Sequence, residues 1–336
     1  MKIFENKLSR LIIIGMNELV CETVKFCENN NIDFFIISSK RMRDVPMITN
    51  DSTKFQSCSD WITSRGYPIT EVSSINVDFL KDYVCDDCVG FSFDSPFIIK
   101  KDVINLFKGR IINEHGAHLP HGKGGGGFSW RIMENDREGN VLFHFITEKI
   151  DEGPIIFQKP FVFPNYCRRP IEFSKYQHTK NIKELGSFLT KLKNNEEFEV
   201  LPQNNHFSSY MPRIHTPTQA YINWNWDVSY IEKFILAFSD PYEGAKSFIG
   251  EEKIYIKDCF VDKRIIHTHP YKFGIIFNIT KEGISVACKN GTLVITDSKT
   301  ELRNNPKIGD RLHTSQALLD EVFNERVIYT PKGLKK

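Results

Sequence analysis

The stretch LIIIGMNELVCETVKFCENNNIDFFIIS, residues 11–38, decides the fold. Residues 11–15 are a short apolar run of the length a buried strand requires. Residues 20–30 carry Val20, Val24 and Cys27 at helical spacing, on one side of a helix. Residues 32–38 read as a second strand. Strand, helix and strand within about 30 residues make a parallel crossover unit, whose helix must pack on the face of a sheet.

The alternation continues. Residues 77–83 read as a helix, 88–93 as a strand and 101–107 as a short helix. Residues 110–113 form a strand ending in polar side chains, and 141–147 another. This predicts an α/β architecture with a Rossmann-like, mostly parallel sheet, in which the carboxyl ends of strands face the ligand crevice. Residues 166–205 are polar and charged, with a helix expected over 182–193. Residues 221–238 mix aromatics with a helical stretch. Further on, short strands dominate, at 253–257, 273–279, 283–287 and 292–296. Turns such as Glu282-Gly283 and Asn290-Gly291 separate them, predicting a smaller β-rich, OB-like barrel. Two domains are expected, over residues 1–205 and 206–336, with few contacts crossing the polar segment 193–205.

Composition narrows the class. A chain of 336 residues with 40% hydrophobic and 26% charged residues can bury a large core without covalent staples. Its 44 lysines and arginines against 42 aspartates and glutamates leave a net charge of +2, too even for a general nucleic-acid coat. The eight cysteines lack the spacing of a disulfide framework. No run approaches the roughly 20 apolar residues of a membrane span, and the first residues lack a secretory pattern. A cytoplasmic protein with reduced thiols is the expectation.

The chemistry concentrates in INEHGAHLPHGKGGGGFSW, residues 112–130. Asn113 and His115 are two apart, so an extended backbone puts both on one face. The amide can donate to a developing oxyanion and the imidazole can take a proton from an attacking amine. The same residues also fit a strand end where Asn113 opens a turn and His115 meets solvent. Asp151, just beyond the strand at 141–147, reaches the same crevice if that strand neighbours the one ending at Asn113. The glycine run at 122–127 is not a Walker loop, because Lys123 precedes the glycines instead of following them. It suits a loop folding tightly over a ligand, with Lys123 available to an anion. Cys85-Asp-Asp-Cys88 lacks the second ligand pair that zinc needs and reads as core packing of two small side chains.

Taken together, the residues resemble the folate-dependent formyltransferases, a group that includes methionyl-tRNA formyltransferase and nucleotide-sugar N-formyltransferases. The pattern is Asn113-x-His115, Leu119-Pro120, Lys123-Gly124 and Asp151-x-Gly153, with Trp130 and His144 at further family positions. Downstream, Tyr210-Met-Pro-Arg, Tyr221-Ile-Asn-Trp224 and the stretch at 283–295 resemble the family's C-terminal portion. The likeness spans roughly the whole chain and is strongest over 110–156.

The resemblance implies direct transfer of a formyl group from N10-formyltetrahydrofolate to an amine, with no metal. Asn113 would hold the oxyanion, His115 would act as base and Asp151 would set its protonation. Phe93, Ser95, Phe97 and Gly153 would contact the folate. Lys123, Gly124, Trp130, Arg213 and Trp224 would contact the acceptor. That acceptor is expected to be a dTDP-linked 3- or 4-amino-deoxyhexose for bacterial surface polysaccharide, with a homodimer as the working assembly and neither nucleic acid nor membrane as partner. Initiator tRNA is the alternative acceptor, and a non-catalytic nucleotide-sugar-binding module the alternative of another class. The chain departs from the family pattern in its four consecutive glycines at 124–127, in Glu152 after Asp151, and in Asp94-Ser-Pro-Phe97.

Overall fold

A computed structural model describes every residue except 6, 48–55, 125–126, 302–304, 331–332 and 336. The glycines at 125 and 126, half of the expected loop, lie outside the described residues.

The first half builds β1 (Arg10–Gly15), α1 (Glu18–Asn30), β2 (Asp33–Ser38), α2 (Cys58–Ser64), β3 (Ile69–Glu71), α3 (Val77–Leu80), β4 (Cys88–Phe93), α4 (Lys101–Leu106) and β5 (Ile111–His115). It continues through β6 (Lys123–Gly124), α5 (Gly127–Glu134), β7 (Glu138–Phe145), β8 (Ile155–Val162) and α6 (Pro170–Lys193). Seven strands form one sheet in the order β3-β2-β1-β4-β5-β7-β8. The first five run parallel, and β7 and β8 close the edge antiparallel. Alternate residues of β1 serve opposite layers, as strand geometry requires. Leu11 and Ile13 pack with α1, α2 and α6, whereas Ile12 and Ile14 pack with Leu80, Val103 and Phe107.

Several elements escaped the periodicity, α6 and β8 among them. α6 begins at Pro170, twelve residues ahead of the expected start at 182. Proline suits the first helical turn, and the Glu172 carboxylate accepts from the Arg168 and Arg169 amides at 2.6 and 2.9 Å. Buried Gln177, His178 and Asn181 interrupt its apolar face, which hides the helix from hydrophobic periodicity. Strand β8 carries Pro160, tolerable because β8 is an edge strand.

The second half contributes β9 (Tyr210–Met211), α7 (Thr216–Gln219), α8 (Val228–Ala237), β10 (Ala245–Ile249), β11 (Glu252–Asp262), β12 (Ile276–Thr280), β13 (Gly283–Cys288), β14 (Gly291–Thr300), β15 (Leu312–His313) and α9 (Gln316–Asn324). Its six-stranded antiparallel sheet, ordered β12-β13-β14-β11-β10-β15, curls as a half-barrel against α8. Its core also takes Ile132 of α5, Phe163, Cys167 and Phe173 of α6, so the two halves share buried surface.

The segment 193–205 carries more contacts than its composition suggests. Phe198 is buried, and its amide bonds the Met1 carbonyl at 2.9 Å. Leu201 and Ile155 exchange two backbone hydrogen bonds of 2.8 Å. The cysteine expectation also needs correction. Cys85 and Cys88 form a disulfide, with Cys85 exposed and not packed in the core. The other six cysteines are free and buried.

Candidate active site

The strand order reverses between β1 and β4, which opens a crevice at their carboxyl ends. Asn17 follows β1 and Asp94 follows β4, and the Asn17 amide donates to Asp94 across the opening at 2.8 Å. The next strand, β5, delivers Asn113, Glu114 and His115 to the same end.

The β5–β7 register sets Asn113 directly opposite His144. Asn113 Nδ2 lies 3.2 Å from His144 Nε2, and His144 Nδ1 lies 2.9 Å from the Phe145 carbonyl oxygen. A carbonyl only accepts, so Nδ1 carries the proton and Nε2 accepts from Asn113. His144 is 2% exposed, and its pKa is lowered to about 4, first by burial and then by His115. It is a neutral acceptor that fixes the Asn113 amide and leaves that amide's second hydrogen free to donate elsewhere.

Asp151 stands between the two imidazoles. Its Oδ1 is 3.9 Å from His115 Nδ1 and 3.9 Å from His144 Nε2. Three local features hold it there. Its backbone adopts a left-handed φ of 55°, which aspartate tolerates better than most residues. Gln203 donates to the Asp151 and Gly153 carbonyls at 2.9 and 2.6 Å. At Gly153, an added Cβ would lie 1.6 Å from the Phe145 carbonyl oxygen, so only glycine lets this loop close on β7. His115 Nε2 is buried without a hydrogen-bond partner among the described residues. Both His115 and Arg131 line a cavity of about 360 Å³, with Asn17, Asp94, Glu114, Gln177, Asn181 and Arg213.

The expected site residues divide. The structure brings together Asn113, His115, Asp151 and Gly153, with His144. Gly124, at a φ of 94°, sits 3.4 Å from Asp151 Oδ2 through its amide, and Arg213 lines the cavity. Trp130 lies on the far side of Arg213, its indole donating to the Pro212 carbonyl at 2.8 Å. The others are engaged elsewhere. Phe93 is fully buried and stacked on Phe91, and Phe97 is buried in the layer under α4. Ser95 accepts from the Phe97 amide at 3.2 Å. Lys123 is buried, 3.0 Å from Asn205 Oδ1 and 3.3 Å from Glu152 Oε1, so the unusual Glu152 answers the expected anion-binding lysine. Trp224 is 6% exposed in the second core, donating to Ser247 Oγ at 2.8 Å.

Sequence reasoning gave Glu114, Gln177 and Asn181 no part in the site. The signal for Glu114 was its place between Asn113 and His115 at a strand end. The signal for the other two was polar residues breaking the apolar face of α6.

The geometry is that of an acyl-transfer site: an oriented amide donor, an imidazole with an open nitrogen, and a carboxylate behind it. Residues 77–171 match the family described as "Formyl transferase", and residues 215–312 match "Formyl transferase, C-terminal domain". Together these matches take in more than half of the chain and every residue of the Asn113, His115 and Asp151 constellation. The chain belongs to the formyltransferase family and is an enzyme of that class. Solved structures share the fold. An N-formyltransferase from Helicobacter canadensis, in complex with folinic acid and dTDP-3-aminofucose, is 21% identical with a TM-score of 0.64, over 87% of this chain and 100% of that one. WlaRD, a sugar 3N-formyltransferase solved with dTDP and 5-N-formyl-THF, is 22% identical with a TM-score of 0.65, over 89% and 100%. A 4-N formyltransferase from Francisella tularensis is 17% identical with a TM-score of 0.55, over 73% and 94%.

Proposed function

We propose that the chain moves the formyl group of N10-formyltetrahydrofolate to the amine of a dTDP-linked amino-deoxyhexose, a cytoplasmic step in surface-polysaccharide synthesis. The observation that carries this reading is the position of Arg213. It lines the catalytic cavity and also an apolar groove of about 870 Å³ walled by Trp130, Tyr210, Trp226 and Tyr230. Aromatic walls suit a nucleobase, an arginine suits a pyrophosphate, and the cavity beyond suits one hexose. A nucleotide sugar spans these three environments in that order.

The folate supplies the formyl carbon. Asn113 donates to the formyl oxygen as it becomes an oxyanion, using the hydrogen not engaged by His144. His115 Nε2 takes a proton from the attacking nitrogen, and Asp151 stabilises the resulting imidazolium. Collapse of the adduct breaks the carbon–N10 bond, and the proton held by His115 passes to the leaving nitrogen. The donor lies along the main chain of 94–97 and 151–153, since the Phe93 and Phe97 rings belong to the core.

The test is a formylation assay with formyltetrahydrofolate against dTDP-3-aminofucose, its 4-amino counterpart and methionyl initiator tRNA. Saturable formylation of one amino sugar supports the reading. Formylation of the tRNA without sugar activity overturns it.

A further inference from the structure

The catalytic cavity has an acidic end that the triad does not use. Glu114 projects to the side of β5 opposite Asn113 and His115, where Asn181 Nδ2 donates to its Oε1 at 2.8 Å. Gln177 Nε2 in turn donates to Asn181 Oδ1 and to the Asn140 carbonyl, both at 2.8 Å. The carbonyl fixes which end of the Gln177 amide is nitrogen, and both its hydrogens are spent. Gln177 Oε1 therefore remains as an acceptor. It belongs to a side chain 5% exposed, lines the cavity and has no partner among the described residues. Asp94 bounds the same end from the loop after β4.

An orphaned acceptor beside two carboxylates calls for a ligand with several donor hydrogens and positive charge. Proton counting supplies one. An acceptor amine reaches the enzyme as an ammonium ion and ends as a formamide with one hydrogen, so it must lose two protons. The first leaves before attack, because a nitrogen without a lone pair is no nucleophile. The second leaves the adduct. His115 can hold only one proton at a time, and that one goes to the departing N10.

We propose that the Glu114 and Asp94 end of the cavity binds the acceptor's amino group as an ammonium ion, and that Glu114 takes its first proton. The N–H bond breaks, its electron pair stays on nitrogen as the nucleophile, and an O–H bond forms on the Glu114 carboxyl. Asp94 is exposed and gives that proton a path to solvent. Burial, then the charge of Asp94, pushes the Glu114 pKa up to about 8, which makes it a stronger proton acceptor than an ordinary carboxylate. The other ionisable groups around this cavity are Arg131, His115, Arg213 and the pair Glu18–His178, whose Oε2 and Nε2 are 2.7 Å apart.

This inference rests on the amino-sugar reading, and binding calorimetry separates the two. The probes are dTDP-3-aminofucose and the dTDP-6-deoxyhexose with a hydroxyl in place of that amine. Wild-type enzyme is expected to bind the amine about tenfold more tightly, the worth of a charged hydrogen bond. At pH 7 the amine should also release a proton to buffer, since ammonium binding expels the proton that Glu114 otherwise keeps. Glu114→Gln keeps the Asn181 hydrogen bond and should abolish both differences. Asp94→Asn, tolerable at its φ of 48°, should weaken them. Binding of neither probe overturns the amino-sugar reading and this inference with it. Equal affinity for both in wild type, or an undiminished preference in Glu114→Gln, overturns this inference alone.

Discussion

Asn113 and His144 face each other across the β5–β7 ladder, and the amide of one donates to the unprotonated ring nitrogen of the other. The contact converts a flexible carboxamide into a donor of fixed direction, because His144 is itself held by the Phe145 carbonyl.

His144 should stay uncharged down to about pH 4. Burial depresses its folded value below the ordinary 6.5, so unfolding takes up a proton in acid. Its contribution to stability is complete above about pH 6.5 and is lost as the pH falls toward 4. Imidazole nitrogen shifts followed by NMR would check this. A midpoint near 6.5 would refute the burial argument.

Replacing Asn113 with alanine should lower kcat by about 100- to 1000-fold, the usual cost of one oxyanion donor, with little change in acceptor KM. Replacing His144 with phenylalanine should lower kcat less, by about tenfold, since the amide remains but loses its orientation. Equal losses in the two variants would mean that His144 does more than orient.

His115→Asn and Asp151→Asn should each lower turnover at least ~100-fold while leaving the fold intact. The double variant should be little worse than His115→Asn alone, because groups acting as one unit are not additive. Steady-state kinetics with circular dichroism on all three would settle it. Near-wild-type turnover in either single variant would remove the triad assignment.

The two tryptophans Trp224 and Trp226 should behave oppositely. Trp224→Phe removes the hydrogen bond to Ser247 Oγ, which keeps its own bond to the His313 carbonyl, and shrinks a packed side chain, costing about 1–3 kcal/mol of stability with unchanged acceptor KM. Trp226→Ala opens the groove wall and should raise acceptor KM several-fold. Thermal melts and KM values together decide between a core and a binding role for each.

A boundary between residues 205 and 206 remains our proposal for the domain division. Because Phe163 and Phe173 sit in the second core, a fragment of residues 1–205 should expose them and aggregate. Size-exclusion chromatography of that fragment is the measurement. A soluble, cooperatively melting fragment would show that the halves are independent.

Much of this was legible in the sequence. Residues 11–38 carry strand, helix and strand in their apolar pattern, because local periodicity reports which faces are buried. The run 88–93 coincides with β4, whose six residues are all buried. The order Asn113, His115, Asp151 and Gly153 carried the resemblance to the formyltransferases, and the family matches bear that resemblance out. Tertiary structure decided what pattern cannot express. It set which aromatics were free: Phe93 and Trp224 look like ligand contacts in one dimension and are core in three. It turned Lys123 toward Glu152, a pairing made by loop closure. It also placed Glu114, Gln177 and Asn181 from a strand and a helix 63 or more residues apart in one cavity. A sequence states where side chains lie along an element, but packing between elements decides which meet, and that is fixed only once the sheet and α6 come together.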